Sequence, residues 1–470
     1  MVVDSAAGQE RCSRRPAQSV RRSARFLLDR AETARFTARS ASQSVRIAAA
    51  KRGGGLIEGV AESPVSIAVV GAGAAGLMTS IWAGRRARAR GAPLSILLLD
   101  TRPTIGAKIL MSGGTRCNVT NQEVTPSDFQ GGPRHFVKHI FEAFTPQETV
   151  RLFKEIGVEI VLEPGGKYFP VTHSAKTVLE ALMKEADRVG VILKTGIRIT
   201  EITKEDERFH LKSANDAYAV SARKVVLTTG GLSYPTTGSD GTGYKIAESF
   251  GHKIVNTFPA LTPLLTNDSD WKSLSGISLD ARLTFFRNGK KTCQHRDSFL
   301  FTHFGFSGPA ALNISRHLAS AKREDHPQIE ASFLPDETSE SLKTAFQSAE
   351  KKSPEKFVKN FLIEEFSLPA RFVETFLKKV GLSQKQLVRF LLHYPLEVEG
   401  VFGYKKAEVT AGGVDLKEVT VATMESKLVH GLYFAGEILD VDGRIGGFNF
   451  QWAWSTGAVA GRSAARSLIS

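Results

Sequence analysis

The sequence predicts an α/β fold built around a parallel sheet, and three observations support this prediction. Residues 65–70 and 94–99 are short apolar runs of the kind that buried parallel strands require. A helical pattern over residues 74–90 connects them, which gives a strand–helix–strand unit. Strands and helices then alternate through much of the first half, and a strand at 431–435 resumes the pattern near the C-terminus. This order is typical of a Rossmann-type sheet covered by helices.

The turn after the first strand is rich in small residues, namely Gly71, Gly73, Ala74, Ala75 and Gly76. Gly71 permits the tight turn, Gly73 lets the backbone approach a pyrophosphate, and Gly76 lets the helix pack closely on the sheet. The helix N-terminus offers free N–H groups and the positive end of its dipole to phosphates. Asp100 follows the second strand, where a carboxylate accepts the hydroxyls of an unphosphorylated ribose. A glycine motif alone also suits an ordinary turn, but the complete order predicts a site for FAD or NAD.

The chain is strongly basic, with 62 lysines and arginines against 48 aspartates and glutamates. Residues 1–62 contribute 12 basic and 6 acidic residues, or +6 of the net charge of +14, so +8 belongs to the rest of the chain. This excess suits either ordinary surface lysines or a polyanionic partner such as RNA.

The three cysteines, Cys12, Cys117 and Cys293, show no metal-ligand spacing. Their odd number and wide separation favour a reducing compartment without structural disulfides. No apolar stretch approaches the length of a membrane span. We therefore expect a soluble, cytoplasmic protein with no metal and no membrane partner.

Changes in composition divide the chain into parts. We expect a disordered basic arm at 1–62, a dinucleotide-binding domain at 63–258 and 407–470, a β-barrel-like insert at 259–335 and 395–406, and a helical insert at 336–394. For the arm, an organellar transit segment or a start codon placed too far upstream remain alternatives.

Glycine-rich segments outside the first turn supply further candidate ligands. The segment 106–121 follows the ribose acid and holds Lys108, Ser112, Gly113, Arg116 and Asn118. The segment 229–243 follows another strand and holds Gly230, Gly231 and Tyr234. Each segment suits either a ligand loop or a plain surface turn.

The segment 435–457 precedes and opens the last helix, and its candidate residues are Gly436, Glu437, Gly446, Gly447, Phe448 and Asn449. Glu437 is positioned to accept a ribityl hydroxyl. Backbone N–H groups at the start of the helix stabilise negative charge on a reduced isoalloxazine ring. A remote C-terminal contact of this kind favours FAD over NAD as the cofactor.

These segments resemble the BaiN/RdsA-like (YhiN-type) FAD-dependent oxidoreductases from about Pro64 to Gly461. The matching segments are GAGAAGL, GAKILMSGGTRCNVTN, GGKYFP, TTGGLSYPTTGSDGTGY, PALTPL, FTHFGFSGPA, VTAGGV, TMESK and GEILDVDGRIGGFNFQWAWSTG. The resemblance implies a glutathione-reductase-like FAD domain interrupted by a β-barrel domain and a helical domain. Thr115 departs from the family pattern, which usually has a third glycine there.

The resemblance implies flavin redox chemistry without fixing the substrate. Family members act on ribosomal RNA, reduce bile-acid enones, or have been assigned amine oxidation. We expect NAD(P)H-driven reduction of an activated C=C bond, with uridine in 23S ribosomal RNA as the substrate and Cys117 or His303 as the general acid. A lysine-rich stretch within 351–385 suits either phosphate contacts or a solvated helical face. The alternatives are a small-molecule oxidoreductase, such as an enone reductase or amine oxidase, and a non-enzymatic FAD-containing RNA-binding protein.

Overall fold

The computed structural model describes residues 61–214, 217–350 and 354–469. The arm expected at 1–62 therefore lies outside the described residues, apart from residues 61 and 62, which open the first strand. The domain boundaries given above stay a prediction.

The first part of the described chain alternates between strands and helices. Its elements are β1 (Ala61–Val70), α1 (Ala74–Ala89), β2 (Ile96–Asp100), α2 (Ala107–Thr115), β3 (Thr120–Asn121), β4 (Phe129–Gly131), α3 (Arg134–Ala143), α4 (Pro146–Glu155), β5 (Ile160–Glu163), β6 (Lys167–Pro170), α5 (Ala175–Arg188), β7 (Val191–Thr195), β8 (Ile199–Glu205), β9 (Arg208–Ser213), β10 (Ala219–Leu227) and α6 (Thr242–Ser249).

Four of these strands form a parallel sheet in the order β10-β1-β2-β7. Its central strands are mostly apolar, as buried parallel strands require, and Ile67, Val69 and Leu98 are fully buried. The sequence predicts separate strands at 217–220 and 223–228, and this detail is wrong. A single strand, β10, covers both because its first half pairs with β9 while its whole length pairs with β1.

A second group of elements follows between two strands that pair with each other. They are β11 (Ile254–Ala260), β12 (Leu264–Leu265), α7 (Ser269–Ser273), β13 (Ser278–Arg287), β14 (Lys290–Thr302), β15 (Gly305–Ser307), α8 (Gly308–Ala319), β16 (Gln328–Ser332), α9 (Ser339–Glu350), α10 (Pro354–Phe366), α11 (Ala370–Val380), α12 (Gln384–Leu392), β17 (Tyr394–Leu396), β18 (Gly400–Val401) and β19 (Val409–Val414).

The residues between β11 and β19, here called the inserted segment (261–408), form their own sheet and core. The sheet order is β17-β16-β13-β14-β15-β12-β18, so β17 and β18 are its two edges. Only residues 397–399 join these edges, which holds them within roughly 14 Å and curls the sheet towards a barrel. Trp271 and Phe372 stack in the aromatic core beneath the sheet.

The chain then returns to the parallel sheet and ends on a long helix. The last elements are β20 (Val419–Thr420), β21 (Glu425–Ser426), β22 (Leu432–Phe434), β23 (Val441–Gly443) and α13 (Phe448–Ile469). Strand β22 joins β10 in parallel and extends the sheet. Helix α13 packs directly on α1 because two of its residues, Gly457 and Gly461, have no side chain. A Cβ atom on Gly457 would lie 2.7 Å from a backbone oxygen of α1, and one on Gly461 would lie 2.1 Å from another.

This arrangement confirms the predicted fold class, a Rossmann-type FAD-binding fold interrupted by β and helical elements. Because β1, β2, β10 and β22 run in parallel, their carboxyl ends meet at one edge of the sheet, where ligands of such folds bind. Among the described helices, none combines the length and the apolar character that crossing a bilayer requires.

Candidate functional site

A cavity of about 430 Å³ opens at the carboxyl edge of the parallel sheet. The candidate residues that line it are Gly71, Gly73, Ala74, Ala75, Asp100, Lys108, Ser112, Gly113, Asn118, Gly230, Glu437, Gly446, Gly447 and Asn449. The cavity therefore brings together all four glycine-rich segments, although they lie far apart in sequence. Five of the cofactor-binding candidates do not line it, namely Gly76, Arg116, Gly231, Gly436 and Phe448.

The first glycine turn is shaped by close backbone approach at two of its glycines. Gly71 has φ +106°, and a Cβ there would lie 2.5 Å from the Thr228 carbonyl oxygen. A Cβ on Gly76 would lie 1.8 Å from the carbonyl oxygen of Gly71. Gly73 differs, since no protein atom lies within 4 Å of its missing Cβ and the residue lines the cavity. The turn thus leaves ligand-sized space only at Gly73, before the free N–H groups of α1.

Asp100 lies beside this turn at the end of β2. Its carboxylate accepts hydrogen bonds from the backbone N–H groups of Ala72 at 2.7 Å and Arg102 at 2.8 Å, one on each oxygen. Burial is the largest influence on Asp100 and raises its pKa, whereas the two N–H groups oppose the shift. Each oxygen keeps a lone pair for a further donor, such as a ribose hydroxyl.

Helix α2 is regular only in its first part. At Ser112 the backbone becomes extended (ψ 151°), and Gly113 and Gly114 take left-handed conformations. Thr115 has φ +72°, a region that favours glycine. Thr115 therefore has the backbone conformation that the glycine usual at this position in the family would adopt more easily.

Two residues of this loop turn away from the cavity. Cys117 also has a left-handed backbone (φ +59°), and its side chain is fully buried. Arg116 pairs with Glu163 and lies over the Phe169 ring, 3.9 Å from its centroid. Phe169 lines the cavity, so Arg116 supports that wall rather than the ligand.

A charged network joins the two sides of the cavity. Lys108 Nζ donates to Glu437 Oε2 at 2.6 Å and to Ser233 Oγ at 2.8 Å. The other oxygen of Glu437 accepts from Ser233 Oγ at 2.6 Å and from the Thr410 backbone N–H at 3.0 Å. Gly231 supports this network, because a Cβ there would lie 2.4 Å from Thr410 Oγ1.

The far end of the cavity is the turn that opens α13. Gly446 (φ +125°) and Gly447 (φ +95°) have backbones suited to glycine, and a Cβ on Gly447 would lie 2.7 Å from the Thr120 backbone. Asn449 braces the turn through hydrogen bonds with both backbone groups of Gly443, at 2.8 and 2.9 Å. The first N–H groups of α13 therefore border the cavity without partners in their own helix.

Two buried polar atoms in the cavity wall lack partners among the described residues. They are Asn118 Oδ1 and Thr229 Oγ1. Thr229 Oγ1 faces Gly243 on α6 and Asn118 Oδ1 faces Gly447, so neither atom points into the open space of the cavity. The open space at Gly73 and the helix starts at both ends fit an extended dinucleotide such as FAD.

The two residues proposed as general acids lie outside the cavity lining. Burial raises the pKa of the Cys117 thiol to about 12, and the thiol faces the core. His303 is exposed at the tip between β14 and β15 and contacts the Phe304 ring.

Two other titratable side chains line the cavity, and the pKa of each is raised, so each holds its proton more readily than usual. Burial, assisted by Glu408, raises the pKa of Tyr234 to about 12. Glu408 is an exposed residue that also lines the cavity, and desolvation raises the pKa of its carboxyl. Glu408 could not be recognised from the sequence, where it stands out only as a charged residue directly before the apolar strand β19.

Helix α8 of the inserted segment holds the loop that precedes α13. Arg316 donates to both carboxylate oxygens of Asp442, at 2.7 and 2.8 Å, and Asp442 is only 3% exposed. The Asn313 side chain accepts from the Ile445 backbone N–H at 2.8 Å. The far wall of the cavity thus depends on the position of α8.

Comparison with known proteins agrees with the Rossmann-type fold. The family model described as "HI0933-like protein Rossmann domain" matches residues 65–463. The chain is 34% identical to a ribosomal RNA dihydrouridine synthase of Haemophilus influenzae over 414 residues, covering 85% of this chain and 98% of that protein. It is 32% identical to a 3-dehydro-bile acid delta(4,6)-reductase of Clostridium scindens over 412 residues, covering 85% of this chain and 98% of that one.

Among solved structures, the chain is similar to a 3-ketosteroid-delta4-(5alpha)-dehydrogenase of Rhodococcus jostii. The TM-score is 0.46 at 16% identity, covering 87% of this chain and 98% of that one.

Proposed function

Because this chain belongs to the HI0933-like Rossmann family, we propose that it is an FAD-dependent oxidoreductase that reduces uridine in 23S ribosomal RNA to dihydrouridine, with NAD(P)H as electron donor. One observation carries the FAD assignment. A single cavity joins the glycine turn before α1 to the glycine turn before α13. The two relatives compared above are named as a dihydrouridine synthase and an enone-type reductase, and both names describe reactions at activated C=C bonds.

The residues present suit each part of FAD. Asp100 would accept the ribose hydroxyls, and the N–H groups at the start of α1 would bind the pyrophosphate. FAD reduced by NAD(P)H would supply the hydride, whereas the protein would supply orientation and electrostatics. The N–H groups beside Gly447 would stabilise negative charge on the ring edge nearest α13.

We assign the proton-donating role to Tyr234, since a reduced double bond must also receive a proton. Tyr234 lines the cavity, and its pKa of about 12 keeps the phenol protonated at neutral pH. The charge of Glu408 adds to the effect of burial in raising that pKa. Cys117 and His303 remain predictions, but neither borders the cavity.

A surface patch of two half-buried aromatic rings and an exposed lysine supports an RNA substrate over a small molecule. The rings of Phe304 and Phe402 lie 5.3 Å apart, and the exposed Lys406 lies 4.7 and 5.1 Å from their centroids. His303 extends the patch beside Phe304. Aromatic rings with a nearby cation suit the stacking of unpaired bases and contact with phosphates. The patch connects to the cavity through Tyr404, whose carbonyl accepts from the Tyr234 N–H.

The experiment that tests the proposal uses chemically reduced holoenzyme without oxygen. We expect a 23S ribosomal RNA fragment to reoxidise the flavin and gain dihydrouridine, detected by mass spectrometry of its nucleosides. The matched control is the same fragment with its uridines already reduced, which should leave the flavin reduced. Deleting the gene should remove one or more dihydrouridines from ribosomal RNA. An unchanged dihydrouridine map together with an inert RNA fragment would refute the substrate assignment.

The second candidate is reduction of a small apolar enone, and the name of the Clostridium scindens relative favours it. Apolar residues such as Ile105, Ile109, Leu261 and Ile445 line part of the cavity. Rapid reoxidation by a steroid enone, with no response to RNA, would select this candidate. Protein that binds no flavin would contradict both.

A further inference from the structure

We propose a second site, for a thiophilic divalent cation such as Zn²⁺, formed by Cys293, His295 and His317 in the inserted segment. The Sγ atom and one nitrogen of each ring lie within 4.8 Å of one another. The site is separate from the cavity, which none of the three residues lines. It revises the expectation of no metal, which was drawn from cysteine spacing alone.

The fold places these three donors together although they come from two different elements. Cys293 and His295 lie two residues apart on β14, so their side chains project from the same face of the sheet. His317 lies in the last turn of α8, which packs on that face. The ring of His317 lies 5.9 Å from Phe285 and 6.3 Å from His295. A metal ion here would join the end of α8 to the sheet.

The chemistry of the donor set suits zinc. Thiolate sulfur and imidazole nitrogen are both ligands of tetrahedral Zn²⁺, and three of them leave one position for water or another ligand. Within the described residues, none of the three side chains has a hydrogen bond or an ion pair. A neutral imidazole keeps one ring nitrogen with a free lone pair, which is the atom that binds a metal. The Cys293 thiol would lose its proton to the solvent as the metal binds.

Three arginines lie near the site, but each already has an acidic partner. Arg316 pairs with Asp442 at 2.7 Å, Arg444 with Asp128 at 2.7 Å, and Arg287 with Asp325 at 3.7 Å. These pairs offset the positive charge that would otherwise oppose a cation. Because Arg316 precedes His317 on α8, a bound metal would also steady the loop that Arg316 and Asn313 hold against the FAD cavity.

The test uses full-length holoprotein without a histidine tag, carrying Cys12→Ser to remove the thiol of the N-terminal region. After dialysis against a chelator, Zn²⁺ is titrated in competition with a coloured chelator. We expect one equivalent to bind, and Cys293→Ser or His317→Asn to weaken binding at least tenfold. His326→Asn, at an exposed histidine elsewhere in the inserted segment, is the matched control and should bind like the parent.

Co²⁺ provides a second readout that does not depend on activity. Difference spectra should show the thiolate-to-cobalt band and tetrahedral bands at wavelengths longer than oxidised flavin absorbs. The thiolate band should vanish in Cys293→Ser and persist in His326→Asn. Equal flavin content in chelator shows that each variant is folded, and His295→Asn replaces any variant that is not. Absence of a stoichiometric site in the parent, or unchanged affinity in the ligand variants, overturns the proposal.

Discussion

Among single residues, Gly73 and Gly76 stand three positions apart yet differ in what surrounds them. In Gly76→Ala the new methyl would meet the Gly71 carbonyl oxygen at 1.8 Å, so we expect a loss of about 3 kcal/mol or more in the free energy of unfolding. In Gly73→Ala the methyl meets no protein atom within 4 Å and enters only the space assigned to the pyrophosphate. That variant should keep the stability of the FAD-free protein but bind FAD at least tenfold more weakly.

Denaturant unfolding of the FAD-free proteins and flavin fluorescence titration separate the two effects. A Gly73→Ala variant that binds FAD normally would show that the pyrophosphate does not lie at this turn.

Substitutions at Tyr234 and Cys117 distinguish between these two residues as the proton donor. We expect Tyr234→Phe to lower single-turnover reoxidation of the reduced enzyme by substrate about 100-fold, the usual scale for loss of a general acid. Cys117→Ser should lower it less than threefold, because the Cys117 side chain is buried away from the cavity. Stopped-flow absorbance measures both rates, and equal flavin content is the control. The reverse order would restore Cys117 as the donor.

Asp440 makes stability depend on pH. Burial, with repulsion from Asp442 and Asp415, raises its pKa to about 6, although Arg316 opposes the shift. A carboxyl whose pKa is raised by folding stabilises the protein while it is protonated, so this contribution is lost as the pH rises through 6. Asp440→Asn should therefore be more stable than the parent at pH 7, by about 1 kcal/mol after allowing for solvent screening. Urea unfolding at pH 4 and pH 7 measures this, and an equal difference at both values would contradict it.

Among the structural elements, α8 connects the inserted segment to the FAD cavity through a buried ion pair. Arg316→Ala would leave Asp442 buried without its partner, and such losses cost about 3–5 kcal/mol. We expect lower stability and weaker FAD binding together, because the loop before α13 loses its anchor. The matched control is Arg296→Ala, which breaks exposed pairs with Asp280 and Asp336 and should change little. Unfolding and FAD titrations of both variants check this, and equal effects would mean that α8 does not anchor the loop.

The elements also show what the sequence alone could predict. The strand, glycine turn, helix and acid of the first unit could be recognised because each role depends on neighbours along the chain. The position of Cys117 could not, since left-handed backbone at residues 113–115 and again at Cys117 turns its side chain into the core. Glu408 and the α8 contacts were missed for another reason. They depend on the packing of segments that are remote in sequence, which no local pattern encodes.

At the scale of the whole molecule, the net charge of +14 becomes a testable property. If RNA binding neutralises about three phosphates, a fourfold rise in salt should weaken it roughly 20-fold, because condensed counterions are no longer released so favourably. Reduced enzyme should therefore reoxidise more slowly with limiting RNA at high salt, whereas a neutral enone should show no such effect.

Lys406→Ala should make the salt dependence shallower by about one phosphate contact, since Lys406 lies on the aromatic patch. Lys138→Ala, at an exposed lysine paired with Glu142 on α3, is the control and should match the parent. Equal salt dependence for RNA and enone would mean that the basic charge plays no part in substrate binding.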